Sequence, residues 1–219
     1  DAPTTRGRTI PWAGFYDKLV SMVSFGKADL LRSDIASKAP YKRGDTILDV
    51  GCGTGDQAIL AKRSVGNEGM VHGLDAAPNM IDLARKKASS AGVDVNFQVG
   101  LVEQISHPDN SLDVVMSSLV MHHLPDDELK QAAIGEFIRV LKPGGQVYIV
   151  DMDAVESGTI RERLSDVMVH LHGGRKHLHK SVERMSPLFE GGGFIKMHSG
   201  RINRQFGYLI GFKPIETQE

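Results

Sequence analysis

Three glycines at alternating positions, preceded by an acidic residue, form the segment of this sequence with the most specific chemistry. The segment is Asp49-Val50-Gly51-Cys52-Gly53-Thr54-Gly55. Glycine is favoured in such a turn because a side chain would block the approach of the backbone to a ligand, and because some positions need positive φ. Asp75 follows further along the chain, where a carboxylate at a strand end can accept hydrogen bonds from both ribose hydroxyls. The pattern predicts a nucleotide-type binding turn.

The spacing distinguishes this turn from two other glycine-rich motifs. The dinucleotide-binding fingerprint is G-x-G-x-x-G, whereas the glycines here alternate strictly, and no Lys-Ser or Lys-Thr pair follows them as in a P-loop. A tight turn without a ligand is the structural alternative, which the placement of Asp75 disfavours. Cys52 lies in the turn, where a thiol near a helix N-terminus could be activated. We expect its small size to be the reason for its presence.

A histidine cluster late in the chain is the second group with chemical potential. Its spacing is His-x-His-x4-His-x-His, and its members are His170, His172, His177 and His179. Zinc sites often combine His with Cys or acidic ligands, but glycine, arginine and lysine accompany these histidines instead. We therefore predict no metal site, and we favour a mobile lid or a basic contact with the substrate.

The elements that would position the turn alternate between strand and helix from residue 46 onward. Short apolar runs predict strands, and apolar residues at helical spacing predict helices. Lys142-Pro143-Gly144-Gly145 is expected to end the last helix of this region. The predicted order is strand 46–50, helix 56–64, strand 69–74, helix 78–91, strand 95–99, strand 112–117, helix 126–141 and strand 146–151. This alternation predicts a parallel sheet.

The flanking regions predict helices before this core and a mixed structure after it. A helix is predicted over 12–31, broken near Gly26, with a second helix running toward Ala39. After the core we predict a helix over 157–171, the histidine-rich loop 172–180, a helix over 181–190, and strands 194–199 and 206–212. The prediction is an α/β fold with a seven-stranded, mostly parallel sheet, helices on both faces and a C-terminal antiparallel hairpin.

Composition bounds the domain count and the classes of partner. The 219 residues suit a single domain, with a helical lid over 1–40, a binding core over 41–151, and a second lid with the closing strands over 152–219. The net charge of −1 gives no global attraction to nucleic acid or an anionic membrane. No apolar run approaches the roughly 20 residues of a spanning helix. The lack of a signal-peptide pattern and the single cysteine favour a reducing, cytoplasmic compartment.

The turn and four later segments resemble the class I S-adenosylmethionine-dependent methyltransferases. The resembling segments are 47–55, 73–80, 97–103, 112–125 and 137–145, in the expected order. Within that superfamily the sequence is similar to the quinone-biosynthesis C-methyltransferases and their small-molecule relatives, including Tyr16-Asp17-Lys18-Leu19 near the N-terminus, whereas the C-terminal third departs from them. The resemblance implies a Rossmann-like fold, S-adenosylmethionine as cofactor and S-adenosylhomocysteine as product.

The resemblance also implies a role for each cofactor-binding residue. Asp49 would orient the turn and the amino group of the cofactor, and Asp75 would bind the ribose. The glycines would pass beneath the methionine and ribose portions. The implied set is Asp49, Gly51, Cys52, Gly53, Gly55, Asp75, Ala76, Met80, Leu101, Val102 and Ser117.

The adenine side of the implied site departs from the family pattern at one position. Ala76 and Met80 would pack on the adenine. The family often has an Asp where this chain has Leu101, so that only backbone contacts from Leu101 and Val102 remain. Ser117 would offer its carbonyl oxygen to the methionine ammonium.

Two histidines after the fourth strand are the candidates for a base. The sulfonium methyl is already activated, so the protein must align a nucleophile, exclude water and, where needed, remove a proton. His122 or His123 could take that proton, because histidine titrates near neutrality; a structural role in the following loop is slightly favoured. Trp12, Phe15 and Tyr16 could line an apolar acceptor pocket, or could equally be ordinary core aromatics.

The predicted function is methyl transfer from S-adenosylmethionine to a small, apolar or aromatic acceptor by in-line displacement. The glycine spacing and the lack of a Tyr-x-x-x-Lys pair disfavour an NAD-dependent oxidoreductase. The intact turn disfavours a non-catalytic binding protein, although Leu101 leaves that alternative an opening. Nucleobase amino-methyltransferases carry Asn/Asp-Pro-Pro-aromatic where this chain has Ser117-Ser118-Leu119-Val120. We expect no nucleic-acid partner, no stable membrane attachment, and a monomer or homodimer.

Overall fold

The computed structural model describes residues 28–153 and 182–215. Within them, seven strands form one sheet. The strands are β1 (Thr46–Val50), β2 (Met70–Asp75), β3 (Asn96–Val99), β4 (Leu112–Ser118), β5 (Leu141–Met152), β6 (Ile195–Arg201) and β7 (Phe206–Phe212). The helices are α1 (Ala28–Lys38), α2 (Asp56–Val65), α3 (Pro78–Ser90), α4 (Asp127–Val140) and α5 (Ser186–Gly191), with short 3₁₀ turns at Met121–His123 and Val182–Met185.

The strand order places a topological switch point between β1 and β4. The order is β3-β2-β1-β4-β5-β7-β6. The first five strands pair in parallel, whereas β7 is antiparallel to both β5 and β6. The predicted sheet and its C-terminal antiparallel hairpin are confirmed. In open α/β sheets ligands bind beyond the carboxyl ends of the strands at such a switch point, so the fold itself directs attention to the ends of β1 and β4.

Helices cover both faces of the sheet because neighbouring residues along a strand point to opposite sides. Ile47 faces the core beneath α1, α2 and α3, whereas Leu48 faces the core beneath α4 and α5. Val114 and Val115 divide between the same two cores, and all four are fully buried. Burying each such side chain contributes on the order of 1.5–3 kcal/mol. Both cores therefore stabilise the central strands β1 and β4.

The segment 142–145 does not separate α4 from β5 as predicted, because β5 begins directly at Leu141. Leu141 pairs with Leu112, and the next pair is Val114 with Gln146, so that two steps along β4 correspond to five along β5. The extra residues bulge outward. Gly144 has φ +80°, and a Cβ on Gly145 would lie 2.8 Å from the Lys142 carbonyl oxygen. The prediction of the helix end was right, and that of the strand start was wrong.

In the regions that flank the core, the observed helices agree only in part with those predicted from the sequence. The second predicted helix is α1, which ends at Lys38. The helix predicted over 181–190 is divided between the 3₁₀ turn Val182–Met185 and α5, whose first turn carries Pro187. Residues 1–27 and 154–181, with the first predicted helix, the helix over 157–171 and the histidine-rich loop, lie outside the described residues. No helix in the described part of the chain is long and apolar enough to cross a bilayer.

Candidate active site

The predicted glycine turn joins β1 to α2 at the carboxyl edge of the sheet. Its three glycines all have left-handed φ values: 69° at Gly51, 52° at Gly53 and 83° at Gly55. The amide of Gly51 donates to the carbonyl oxygen of Leu74 at 2.7 Å, which ties the turn to β2. A Cβ on Gly55 would lie 2.8 Å from the Phe97 ring. Both the backbone conformation and the close packing therefore require glycine.

Asp75 at the end of β2 fixes the shape of this turn. Its Oδ2 accepts a hydrogen bond from the Gly53 amide at 2.9 Å, and its Oδ1 accepts one from the Ala77 amide at 2.9 Å. Burial raises the pKa of the Asp75 carboxyl, and these two backbone donors oppose that rise. Each carboxylate oxygen can accept a further hydrogen bond. Asp75 can therefore hold the turn and still offer acceptors to a ligand.

Asp49 on β1 is a buried carboxyl group with one unpartnered oxygen. The residue is 1% exposed, and its Oδ2 has no hydrogen-bond partner within the described residues. Burial, and then the nearby charge of Asp75, raises the pKa of Asp49 to about 8. A buried carboxylate oxygen without a partner is costly. The site is therefore suited to a cationic group of a ligand, such as the amino group that the resemblance places there.

A narrow cleft of about 70 Å³ opens between α1, the glycine turn and the end of β4. Of the predicted cofactor residues, four line this cleft: Asp49, Gly51, Cys52 and Gly53. The lining also includes residues that sequence reasoning missed: Leu31, Arg32 and Ile35 of α1, and Ser118 and Leu119 at the end of β4. The helix α1 was predicted, but only its packing against the sheet shows that it borders the site.

The remaining predicted cofactor residues do not line this cleft. Ser117 is buried, and its hydroxyl donates to the Val50 carbonyl oxygen at 2.9 Å. Met80 packs with Ala77 in a small cluster of its own at the start of α3, next to Ala76. Leu101 forms an isolated bridge with Gln104. Val102 packs against the core beneath α4.

The chain directly after β4 is held in an unusual conformation against the turn. Leu119 has φ +62°, which costs about 1–2 kcal/mol for a residue with a side chain. Its amide donates to the Val150 carbonyl oxygen at 2.8 Å. The Val120 side chain occupies the space where a Cβ on Gly51 would lie. This segment therefore closes one side of the cleft, a feature with no signal in the sequence.

The predicted histidines lie in the 3₁₀ turn that follows. His122 Nδ1 lies 2.6 Å from Asp151 Oδ1, and the His122 amide donates to Asp151 Oδ2 at 3.1 Å. Asp151 is 3% exposed. Burial favours its protonated form, but the charge and hydrogen bonds of His122 hold the pKa of Asp151 below its ordinary value. An ionised Asp151 accepts a hydrogen bond from the protonated Nδ1 of His122, which leaves Nε2 free to accept a proton.

Asp151 is a functional candidate that the sequence analysis missed. It was predicted as the last residue of a strand, with no role assigned. The signal was its position, because the carboxyl ends of parallel strands meet at one edge and β5 pairs with β4. Using that signal would have required the strand order.

The two neighbouring histidines differ in their surroundings. The rings of His122 and His123 lie 4.0 Å apart, centroid to centroid. His122 is the one that pairs with Asp151, whereas Nδ1 of His123 is buried. The predicted acceptor-lining residues Trp12, Phe15 and Tyr16 lie outside the described residues. The described site thus combines the predicted glycine turn with one oriented imidazole, a group that suits proton removal.

Comparison with known proteins finds sequence relatives for part of the chain. Residues 47–145 match a family model described as "Methyltransferase domain". The demethylmenaquinone methyltransferase of Listeria monocytogenes serotype 4a (strain HCC23) is 34% identical over 137 residues, which are 62% of this chain and 56% of the relative. That of Geobacillus kaustophilus (strain HTA426) is also 34% identical over 137 residues, 62% of this chain and 57% of the relative. The chain therefore spans a little over half the length of these relatives.

Solved structures with low sequence identity share the fold. A SAM-dependent methyltransferase from Aquifex aeolicus aligns with a TM-score of 0.66 at 21% identity, covering 94% of this chain and 99% of that one. The [4+2]-cyclase SpnF aligns with a TM-score of 0.69 at 18% identity, covering 93% and 94%. Residues 47–145 thus match a methyltransferase domain in sequence. The chain is similar to the demethylmenaquinone methyltransferases over part of its length, and it shares the fold of these solved structures.

Proposed function

We propose that this chain binds S-adenosylmethionine at the glycine turn and catalyses transfer of its methyl group to a small aromatic acceptor of the quinol type. S-adenosylhomocysteine would be the product. The proposal extends to a monomer or homodimer that acts in the cytoplasm on a free small molecule, without nucleic acid. The activity named for the similar demethylmenaquinone methyltransferases supports the choice of acceptor class.

The residues of the turn fit this cofactor. When bound, S-adenosylmethionine supplies a methyl group activated by its sulfonium sulfur. The unpartnered oxygen of Asp49 would pair with the amino group of the cofactor, and Asp75 would accept hydrogen bonds from the ribose hydroxyls. The glycines would let the backbone approach the ligand closely. Trp12, Phe15 and Tyr16 remain proposed residues of the acceptor pocket.

On the acceptor side, we assign the base to His122. Its Nε2 would take the proton that the acceptor loses as the bond to the methyl carbon forms. Asp151 would keep Nδ1 protonated and stabilise the imidazolium that results. His123 would act by packing against the His122 ring. The segment 118–120 would exclude water from one side of the reacting groups.

The observation that carries the proposal is the position of the His122–Asp151 pair. An imidazole that is oriented by a buried carboxylate stands at the same sheet edge as the ligand-binding turn. A non-catalytic binding protein would not need this arrangement. The alternating glycines and the matched methyltransferase domain disfavour an NAD-dependent oxidoreductase.

Equilibrium binding tests the cofactor, and a labelled-methyl assay tests the reaction. We expect titration calorimetry to detect binding of S-adenosylmethionine and S-adenosylhomocysteine but not of NAD. Radiolabelled S-adenosylmethionine should then transfer its label to reduced demethylmenaquinone or to another member of a panel of aromatic metabolites. Failure to bind either form of the cofactor would refute the proposal. Binding without transfer to any acceptor would favour the non-catalytic alternative.

Substitution of the oriented histidine tests its assigned role. We expect His122→Gln to lower kcat by about 100-fold or more, the usual contribution of a positioned base, with KM for the cofactor nearly unchanged. Asp151→Asn should lower kcat and alter the pH profile of kcat, because the amide would favour the other tautomer. The matched control is His123→Gln, for which we expect a much smaller effect. A kcat within a few-fold of wild type for His122→Gln would exclude it as the base.

A further inference from the structure

The cleft beside the glycine turn has the acid Asp49 on one side and Arg32, ion-paired with Asp56, on the other. Asp49 lies on β1, and the side chain of Arg32 comes from α1. Among the described residues that line the cleft, Arg32 is the one cation. A ligand that carries both charges of an α-amino acid would match these two walls, with its ammonium toward the acid and its carboxylate toward the guanidinium.

The position of Arg32 is fixed by the way α1 packs on the molecule. Gln57 donates to the Arg32 carbonyl oxygen at 3.2 Å, and the buried Tyr148 hydroxyl donates to the Ile35 carbonyl oxygen at 2.8 Å. Leu31 and Ile35 are buried in the core beneath α1. The Arg32 side chain itself is only 19% exposed. The guanidinium is therefore held at the cleft by the helix and does not swing freely in solvent.

Among the described residues, Asp29 and Asp56 both contact the guanidinium of Arg32, and both can exchange this contact for another. Asp29, 3.1 Å from Nη1, has a fully exposed side chain, and such surface pairs contribute little. Asp56, 2.8 Å from Nη2, is also bound by Lys87, whose Nζ lies 3.0 and 2.9 Å from its two oxygens. Asp56 therefore keeps a cation if Arg32 turns some of its five N–H donors to a ligand.

Two further features of the cleft indicate an amino-acid ligand. The buried Oδ2 of Asp49 has no hydrogen-bond partner within the described residues, and a ligand ammonium group would supply one. The ten-residue α2 begins at the cleft with Gly55 as its N-cap and no capping side chain. The N-terminus of a helix favours a negative charge. Asp49 thus matches the ammonium of a zwitterion, and Arg32, which pairs with the first residue of α2, Asp56, matches its carboxylate.

We propose that Arg32 binds the carboxylate of the methionine portion of S-adenosylmethionine while Asp49 binds its ammonium. This inference rests on the proposed function and adds α1 to the cofactor site. Arg32 exchanges its contacts with Asp29, and part of those with Asp56, for a charge-assisted contact to the ligand carboxylate.

A pair of ligands that differ in the charged end separates this role from a structural one. S-adenosylhomocysteine carries the carboxylate and the ammonium, whereas 5′-methylthioadenosine keeps the adenine, ribose and sulfur and lacks both groups. We expect Arg32→Gln to weaken binding of S-adenosylhomocysteine by at least about tenfold, the effect of losing a hydrogen bond to a charged group. Binding of 5′-methylthioadenosine should change by less than about twofold. Arg32→Lys, which keeps the charge but loses the planar donors, should be intermediate.

Arg63→Gln, an exposed change on α2, is the matched control and should leave both affinities unchanged. Calorimetry gives the dissociation constants, and a thermal melt checks that each variant is folded. Equal weakening of both ligands, or unchanged binding of S-adenosylhomocysteine, would overturn the role of Arg32 alone. If the wild type binds neither S-adenosylmethionine nor S-adenosylhomocysteine, the proposed function fails and takes this inference with it.

Discussion

Among single residues, Asp49 is a buried carboxyl group whose protonation the fold controls strongly. Burial and the charge of Asp75 raise its pKa to about 8, so the free protein holds this carboxyl largely protonated at neutral pH. A ligand ammonium pairs with the ionised form. Ligand binding must therefore release a proton from Asp49 whenever the pH lies below that pKa.

This coupling predicts that cofactor affinity rises with pH. Between about pH 6 and pH 8 we expect the dissociation constant of S-adenosylhomocysteine to fall by up to about tenfold per pH unit, the limit for one released proton. Calorimetry in buffers with different heats of ionisation measures the proton count directly. Asp49→Asn should bind more weakly and show a flat profile. A flat profile in the wild type would mean that Asp49 does not pair with the ligand.

The sequence indicates those candidate site residues whose identity is dictated by local geometry. The glycines of the turn and Asp49 follow each other along the chain, so their spacing alone indicates a site. Asp151 and Arg32 act through pairings with residues far away in sequence, His122 and Asp56. Such contacts depend on the strand order and on the packing of helices, which spacing does not encode.

At the scale of elements, the attachment of α1 to the sheet is the feature on which the cleft depends. The helix contributes Leu31 and Ile35 to the core. Tyr148, a β5 residue that is 1% exposed, holds the C-terminal half of α1 through the hydrogen bond from its hydroxyl to the Ile35 carbonyl oxygen. Because α1 carries Arg32, any loosening of this contact should reach the cleft.

Tyr148→Phe should destabilise the protein by about 1–2 kcal/mol. It removes the hydrogen bond to the Ile35 carbonyl oxygen and leaves that buried acceptor unsatisfied. Urea unfolding measures the loss, and hydrogen exchange should show faster exchange in α1 with α4 unchanged. The control is Tyr208→Phe, whose hydroxyl lies 3.4 Å from His198 at an exposed position and which should cost less than about 0.5 kcal/mol. Equal costs for the two variants would contradict the anchoring role of Tyr148.

The elements themselves could be predicted wherever local patterns determine them. Thr46–Val50 and Phe206–Phe212 have the predicted bounds, because each is an apolar run that ends at turn residues. The start of β5 was wrong because Leu141 joins the strand through its pairing with Leu112, a contact across the sheet that overrides the turn propensity of the Pro-Gly-Gly that follows. Local propensity is a weak prior where a long-range pairing is available.

For the molecule as a whole, the charges nearly balance, so we expect a few buried groups to determine how the free energy of unfolding changes in mild acid. The chain has 26 basic Lys and Arg residues against 27 acidic residues, so general repulsion is small near neutrality. His72 on β2 and His107, between β3 and β4, stand edge to face with ring centroids 4.7 Å apart. Burial lowers the pKa of both, and the charges of His72 and Arg139 lower that of His107 further.

These lowered pKa values predict a specific loss of stability in mild acid. An unfolded histidine titrates near pH 6.5, so below that pH the unfolded chain binds more protons than the folded one and the free energy of unfolding falls. The raised pKa values of Asp49 and Asp75 act in the opposite direction, so the effect must be isolated by substitution. Between about pH 7.5 and pH 5.5, the double variant His72→Gln, His107→Gln should lose less stability in urea unfolding than the wild type. His198→Gln, at an exposed position on β6, should follow the wild type; if the double variant does so as well, the buried pair does not set the acid response.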